Sequence, residues 1–180
     1  MPVVCVEPAV NAAHSVVTTN GNDSLVFPHV DSCMSVTFMV APDVLIGGHA
    51  GMFDHNPPYG PQAGANLLAI VTTMMGLVAG RAIQRVVFCG NNMGGGPGTN
   101  WALPARIAAL RLATGNPALP CKLVNSANTG GGVDVVFNNG TMRMRVQAYQ
   151  FEAGRGDLGV PAQRAAIYDV PYHAIVDTAL

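Results

Sequence analysis

Apolar and polar residues alternate along Met34–Val40, a stretch rich in residues that favour β-structure. Pro42 interrupts this run, because proline fixes φ and has no backbone N–H to donate. Val44–Ile46 then forms a second apolar run, and we expect Gly47-Gly48 to end it. The pattern therefore predicts two short antiparallel strands joined by a tight turn.

Two residues with chemical potential flank this predicted hairpin. Cys33 lies at the start of the first predicted strand and His49 at the end of the second. Antiparallel pairing would therefore bring both residues to the same end of the hairpin. An imidazole within hydrogen-bond reach of a thiol can take its proton and later protonate a leaving group. The hairpin therefore predicts a Cys33–His49 catalytic pair, in which an activated Cys33 would titrate below the pKa of a free thiol.

The remaining pattern mixes helices with strands. Ala63–Ala82 and Asn100–Ala113 are predicted helices, and Thr99 or Asn100 is the expected cap of the second. Asn138-Asn139-Gly140 is a strong turn signal between two further strands. Neither an internal repeat nor a linker interrupts the order, so we expect one α/β (α+β) domain over residues 1–180.

Composition limits the function classes. Charged residues make up 11% of the 180 residues, hydrophobic residues 49%, and the net charge is −1. Such a chain buries a substantial core and carries no basic field for nucleic acid or anionic membrane. The longest apolar stretch, Leu67–Ala79, is too short and too interrupted to span a bilayer, and we recognise no signal peptide.

Cysteine spacing argues against a metal site. The four cysteines form no CxxC pair: Cys5, Cys33, Cys89 and Cys121. Hydrolysis by a Cys33–His49 pair needs neither a metal nor an organic cofactor, and we expect neither.

The order of these motifs resembles the CheD / cytotoxic necrotizing factor superfamily of cysteine-dependent glutamine deamidases, over roughly residues 25–146. Five segments carry the resemblance: Asp31-Ser32-Cys33, Gly47-Gly48-His49, Val86–Gly90, Thr129-Gly130-Gly131 and Asn139-Gly140. The resemblance implies a mixed β-sandwich core flanked by outer helices. It also implies Cys33 as nucleophile and His49 as general base and acid in deamidation of a target protein's glutamine, with transglutamination as a variant outcome.

One departure from the family concerns the group that orients the histidine. Phe27 occupies the position of a threonine that often has this role, which leaves a backbone carbonyl, Asp31 or His29. The residues that follow the histidine in the chemotaxis enzymes are also absent. A divergent, toxin-like effector is therefore the expected member, either cytoplasmic or secreted without a classical signal peptide.

Two alternatives remain open. YfiH-like hydrolases share the fold and a Cys/His site but act on small molecules with additional metal-type histidines, whereas His14, His29, His55 and His173 show no ligand spacing here. The other alternative is a non-catalytic binding or assembly module, consistent with low charge and a homo-oligomer.

Overall fold

The computed structural model describes residues 3–6, 14–41, 43–53, 60–92, 98–148 and 165–180. The elements in chain order are β1 (Val3–Cys5), β2 (His14–Thr18), β3 (Ser24–Val30), β4 (Cys33–Val40), β5 (Val44–Gly51), α1 (Ala63–Val78), β6 (Ile83–Gly90), α2 (Leu103–Thr114), β7 (Cys121–Asn125), β8 (Val133–Asn138), β9 (Arg143–Ala148), β10 (Ala166–Pro171) and β11 (Thr178–Ala179). A short 3₁₀ helix, Tyr172–Ala174, precedes β11.

The strands form two mixed sheets. The five-stranded sheet has the order β1-β3-β8-β9-β10, and the six-stranded sheet has the order β11-β7-β6-β4-β5-β2. β1 is parallel to β3, and β7 is parallel to both β6 and β11, while the other described pairs are antiparallel. The predicted α+β class, with two sheets and two helices, is confirmed for the described residues.

Side-chain alternation on β4 divides the interior into two cores. Met34, Val36 and Phe38 pack with α1 and α2 on one face of the six-stranded sheet. Met39 lies on the other face and packs with residues of the five-stranded sheet, as does Leu45 of β5. The six-stranded sheet is therefore the middle layer, between the helices and the five-stranded sheet.

The predicted end of β5 at Gly47-Gly48 is wrong, because the strand continues to Gly51. A Cβ on Gly47 would lie 2.7 Å from Leu25 of the five-stranded sheet, and one on Gly48 would lie 2.7 Å from Met74 of α1. Both neighbouring layers approach this strand too closely for a side chain, so the glycines permit packing here and do not terminate pairing.

The helices are shorter than their patterns predicted. α1 ends at Val78 and is buried on one side only, since Leu68 and Leu77 are exposed. α2 begins at Leu103 after Ala102 in the left-handed region, and neither expected side chain caps it. The structure describes no helix that is long and apolar enough to cross a membrane.

Candidate functional site

Cys33 lies where the chain passes from one sheet to the other. β3 ends at Val30 in the five-stranded sheet, Asp31-Ser32 makes the crossing, and Cys33 opens β4 in the six-stranded sheet. The Ser32 carbonyl accepts the Met52 N–H at 3.0 Å, which ties the crossing to the end of β5. The thiol is therefore fixed at one end of the sandwich and is half-buried.

His49 lies inside β5 and not at its end. The pairing of β4 with β5 places Cys33 opposite Gly51 and Ser35 opposite His49. Cys33 and His49 consequently share one face of the sheet in a diagonal arrangement. No hydrogen bond joins them, so the expected direct contact is not present in this structure.

The His49 ring is oriented by a backbone carbonyl. Its Nδ1 lies 2.9 Å from the carbonyl oxygen of Val6, which directly follows β1. Because a carbonyl can only accept, Nδ1 carries the hydrogen and Nε2 holds the lone pair in the neutral ring. Of the three candidate orienting groups, the backbone carbonyl takes this position, whereas Asp31 and His29 do not. The carbonyl belongs to Val6, a residue distant in sequence from His49.

The second ring nitrogen of His49 is a buried acceptor. Nε2 has no hydrogen-bond partner among the described atoms, and the residue is only 2% exposed. Burial lowers the pKa of His49 to about 4, opposed by the Val6 hydrogen bond and reinforced by the charge of His29. At neutral pH this ring is therefore an uncharged base with its lone pair available.

Aromatic packing fixes the same ring from the five-stranded sheet. Phe27 meets His49 edge-on, with ring centroids 6.2 Å apart. Phe27 thus contacts the histidine through ring packing and not through a hydrogen bond.

The Cys33 thiol is also uncharged in the resting structure. Burial raises the pKa of Cys33 to about 11, with a further increase from the Asp31 carboxylate and a decrease from the backbone of Met52 and the side chain of Ser32. The expected pKa below that of a free thiol is therefore wrong. The pair consists of a neutral thiol and a neutral imidazole, not of a thiolate and an imidazolium.

His29 and Asp31 lie at the end of β3 and in the crossing that leads to Cys33. His29 is exposed at a φ of 50°, and its backbone N–H donates to Asp134 Oδ1 at 3.1 Å. Gly132 packs against its ring, and Asp31 is exposed beside Gly132. Both side chains are therefore exposed and lie close together beside Gly132.

The carboxyl ends of two parallel strands lie at the same edge as Cys33. Gly90 of β6 pairs with Met34 of β4 and with Asn125 of β7. A Cβ on Gly90 would collide with the Cys33 carbonyl, so only glycine allows this approach. Loops after the carboxyl ends of strands often form binding sites in α/β proteins.

Sequence patterns missed two residues of this site. No local signal connected Val6 with His49, because a carbonyl is present at every position. Ser35 was treated only as a polar position of the strand, although its Oγ donates to the Cys89 carbonyl at 2.8 Å directly beside His49. The signal that could have identified Ser35 is a serine on the inward face of a strand predicted to be buried.

The spare histidines do not assemble a metal site among the described residues. No group of three or more histidine, cysteine, aspartate or glutamate side chains is found there. His173 lies at the opposite end of the sandwich, while His55 falls outside the described residues.

No family model matches the sequence. No curated protein matches it either.

Proposed function

We propose that this protein is a cysteine-dependent amidohydrolase that deamidates glutamine side chains of a target protein. The observation that supports this most is the His49 ring, whose Nδ1–H is engaged by Val6 and whose buried Nε2 is unpartnered on the face that also carries Cys33. Such a ring has the tautomer that a general base requires. The choice of glutamine follows from the resemblance of the motif order.

The pKa directions favour proton transfer during attack over a preformed thiolate. The pKa values of about 11 for Cys33 and about 4 for His49 make both groups neutral at pH 7. The thiol would therefore lose its proton to Nε2 only as sulfur attacks the carboxamide. Catalytic hydrogen bonds are often long before substrate binds, so the diagonal placement is compatible with this step.

The reaction then has two balanced stages. Cys33 Sγ bonds to the amide carbon while its proton moves to His49 Nε2, and the imidazolium returns that proton to the departing nitrogen, releasing ammonia. Water attacks the resulting thioester, leaving glutamate on the target and a neutral thiol on Cys33. Backbone N–H groups at the start of β4 would stabilise the oxyanion, a contribution of about a hundredfold or more per donor.

Ammonia release from glutamine-containing proteins and peptides tests this proposal. We expect Cys33→Ser and His49→Ala each to lower the rate at least about a thousandfold, because each removes a reacting group. Matched controls are Cys121→Ser, a half-buried thiol at the start of β7, and His173→Ala, an exposed histidine at the far end. Both controls should release ammonia at the native rate.

Three outcomes would contradict the proposal. Absence of release from every protein and peptide pool, with turnover of small amides instead, would favour the YfiH-like alternative. Absence of any turnover would leave a binding or assembly module. Release that survives Cys33→Ser would exclude the nucleophile assigned here.

A further inference from the structure

A cavity of about 510 Å³ lies at the end of the sandwich opposite Cys33. Its size falls within the usual range for small-molecule sites. The turn between β4 and β5, the start of β6, the β8–β9 connection and the 3₁₀ helix surround it. The residues that determine its chemistry are Met39, Leu45, Arg85, Asn139, Met142 and Tyr172.

Arg85 is a charged residue on the inward face of the six-stranded sheet. It pairs with Met39 of β4, and alternation along β6 puts it on the same side as Val87 and Cys89, which belong to the core between the sheets. A guanidinium at the border of an apolar core requires compensation by hydrogen bonds or by an opposite charge.

The structure supplies only part of that compensation. Arg85 Nη1 donates to the Ile175 carbonyl at 3.0 Å. Lys122–Asp177 and Arg143–Asp169 are ion pairs, and neither includes Arg85, which has no carboxylate partner among the described residues. A half-buried guanidinium with donors remaining is suited to a carboxylate, sulfonate or phosphate.

The other titratable groups of the cavity do not replace this missing anion. Asp43 and His173 line the cavity but are exposed, and water and salt weaken the electrostatic interactions of exposed side chains. Tyr172 is buried, and burial raises the pKa of its hydroxyl, so that it remains neutral.

The opposite wall is held in place by hydrogen bonds. Asn139 Nδ2 donates to the carbonyls of Gly21 at 2.9 Å and Asp43 at 3.3 Å. Asn139 Oδ1 accepts the Tyr172 hydroxyl at 3.2 Å. These bonds connect three separate segments around the cavity, so it is largely formed before any ligand enters.

We propose that this cavity binds a small organic anion, with its apolar body against Met39, Leu45 and Met142 and its acidic group on Arg85. The site is separate from Cys33 and does not depend on the proposed deamidase activity. Arg85 supplies the selectivity for charge, and the apolar wall supplies the selectivity for a hydrophobic body.

A matched pair of fluorescent probes tests this assignment in the full chain. The anionic probe is anilinonaphthalene sulfonate, and the uncharged probe is N-phenyl-naphthylamine, which lacks the sulfonate. We expect saturable single-site binding of the anion and weakening of about tenfold or more in Arg85→Gln, because a charge-assisted hydrogen bond is lost. Binding of the uncharged probe should be unchanged.

The control variant is Arg81→Gln. Arg81 donates to the carbonyls of Val78 and Leu77 at the end of α1 and does not line the cavity. It should bind both probes like the native chain. Equal anion affinity in native protein and Arg85→Gln, or equal losses for both probes, would overturn the proposal.

Thr141→Trp provides a second test that leaves Arg85 in place. Thr141 is exposed on the cavity rim, and only its backbone N–H is bonded, to Asn138 Oδ1 at 3.0 Å. An indole there should obstruct entry and abolish anion binding while the fold persists. Undiminished binding, or amide NMR shifts centred on Cys33 and absent around Arg85, would place the probe elsewhere and contradict the proposal.

Discussion

The two faces of the six-stranded sheet consist of the same strands but carry different kinds of residue. On β4, Met34, Val36 and Phe38 face the helices and are fully buried among apolar residues. The alternate positions carry Cys33 and Ser35, which face the five-stranded sheet. Strand alternation therefore separates a face that stabilises the fold from a face that holds the candidate chemistry.

The face toward the five-stranded sheet contains buried polar atoms without partners. Thr37 Oγ1 and His49 Nε2 are both buried and unpartnered among the described atoms. Each such atom costs about 1–3 kcal/mol of stability. The large apolar core on the helix-side face offsets this cost.

The largest effect is expected on the helix-side face. Phe38→Ala should lower the free energy of unfolding by about 3–5 kcal/mol, because Phe38 is fully buried and truncation leaves a cavity. Guanidinium unfolding measures this loss, with Leu112→Ala as control, since Leu112 is 84% exposed. A loss for Phe38→Ala no larger than that of the control would contradict the assignment of this face to stability.

His49 should make stability depend on pH. Its pKa is about 4 in the folded chain and near 6.5 when unfolded, so the unfolded state binds more protons between these values. Its contribution of about 3 kcal/mol is present above pH 6.5 and is lost as the pH falls toward 4. Unfolding at pH 7 and pH 4 should show this difference for native protein relative to His49→Gln. Identical pH dependence in both chains would contradict a buried neutral imidazole.

Cys33 should alkylate slowly at neutral pH. A rise in its pKa from 9.0 to about 11 reduces the thiolate about a hundredfold, partly compensated by the greater nucleophilicity of a more basic thiolate. With iodoacetamide at pH 7 we expect a rate about tenfold to a hundredfold below that of a free cysteine, increasing up to about pH 11. A rate that reaches its plateau below pH 8 would show a resting thiolate instead.

Two substitutions on the inward face should differ in their effect on stability. Ser35→Ala removes the hydrogen bond to the Cys89 carbonyl and should cost about 1 kcal/mol. Thr37→Val replaces a hydroxyl that has no partner and should be neutral or slightly stabilising. Chemical denaturation measures the free energy of unfolding of the two variants. Equal losses of stability in both would contradict the expected difference between a bonded and an unbonded hydroxyl.

Sequence patterns predicted the structural features that depend on residues close together in the chain. The alternation of Met34–Val40 predicted β4, which the structure confirms at Cys33–Val40. Gly47-Gly48 was misinterpreted because close approach of α1 and β3 is a tertiary property. Asn139-Gly140 indicated a turn with two central residues. The structure has a turn there, but the connection between β8 and β9 is four residues long, Asn139–Met142.

The common location of Cys33 and His49 could be predicted from the sequence, but their electrostatic environment could not. Cys33 and His49 were identifiable, and the structure places them on one face of adjacent strands. Their pKa values depend on burial between two sheets, which no local pattern shows. The carbonyl of Val6 and the inward position of Arg85 likewise follow from pairings between distant segments.

The assignment of Cys33 as nucleophile and His49 as its base can be tested with a peptide in which a diazo-ketone analogue, diazo-oxo-norleucine, replaces glutamine. Mass spectrometry would locate the covalent adduct after incubation with native protein and with His49→Ala. We expect an adduct on Cys33 and none on Cys89 or Cys121. The rate of Cys33 labelling should be at least about a hundredfold lower in His49→Ala. Labelling of Cys33 that does not depend on His49, or no labelling of Cys33 at all, would contradict this assignment.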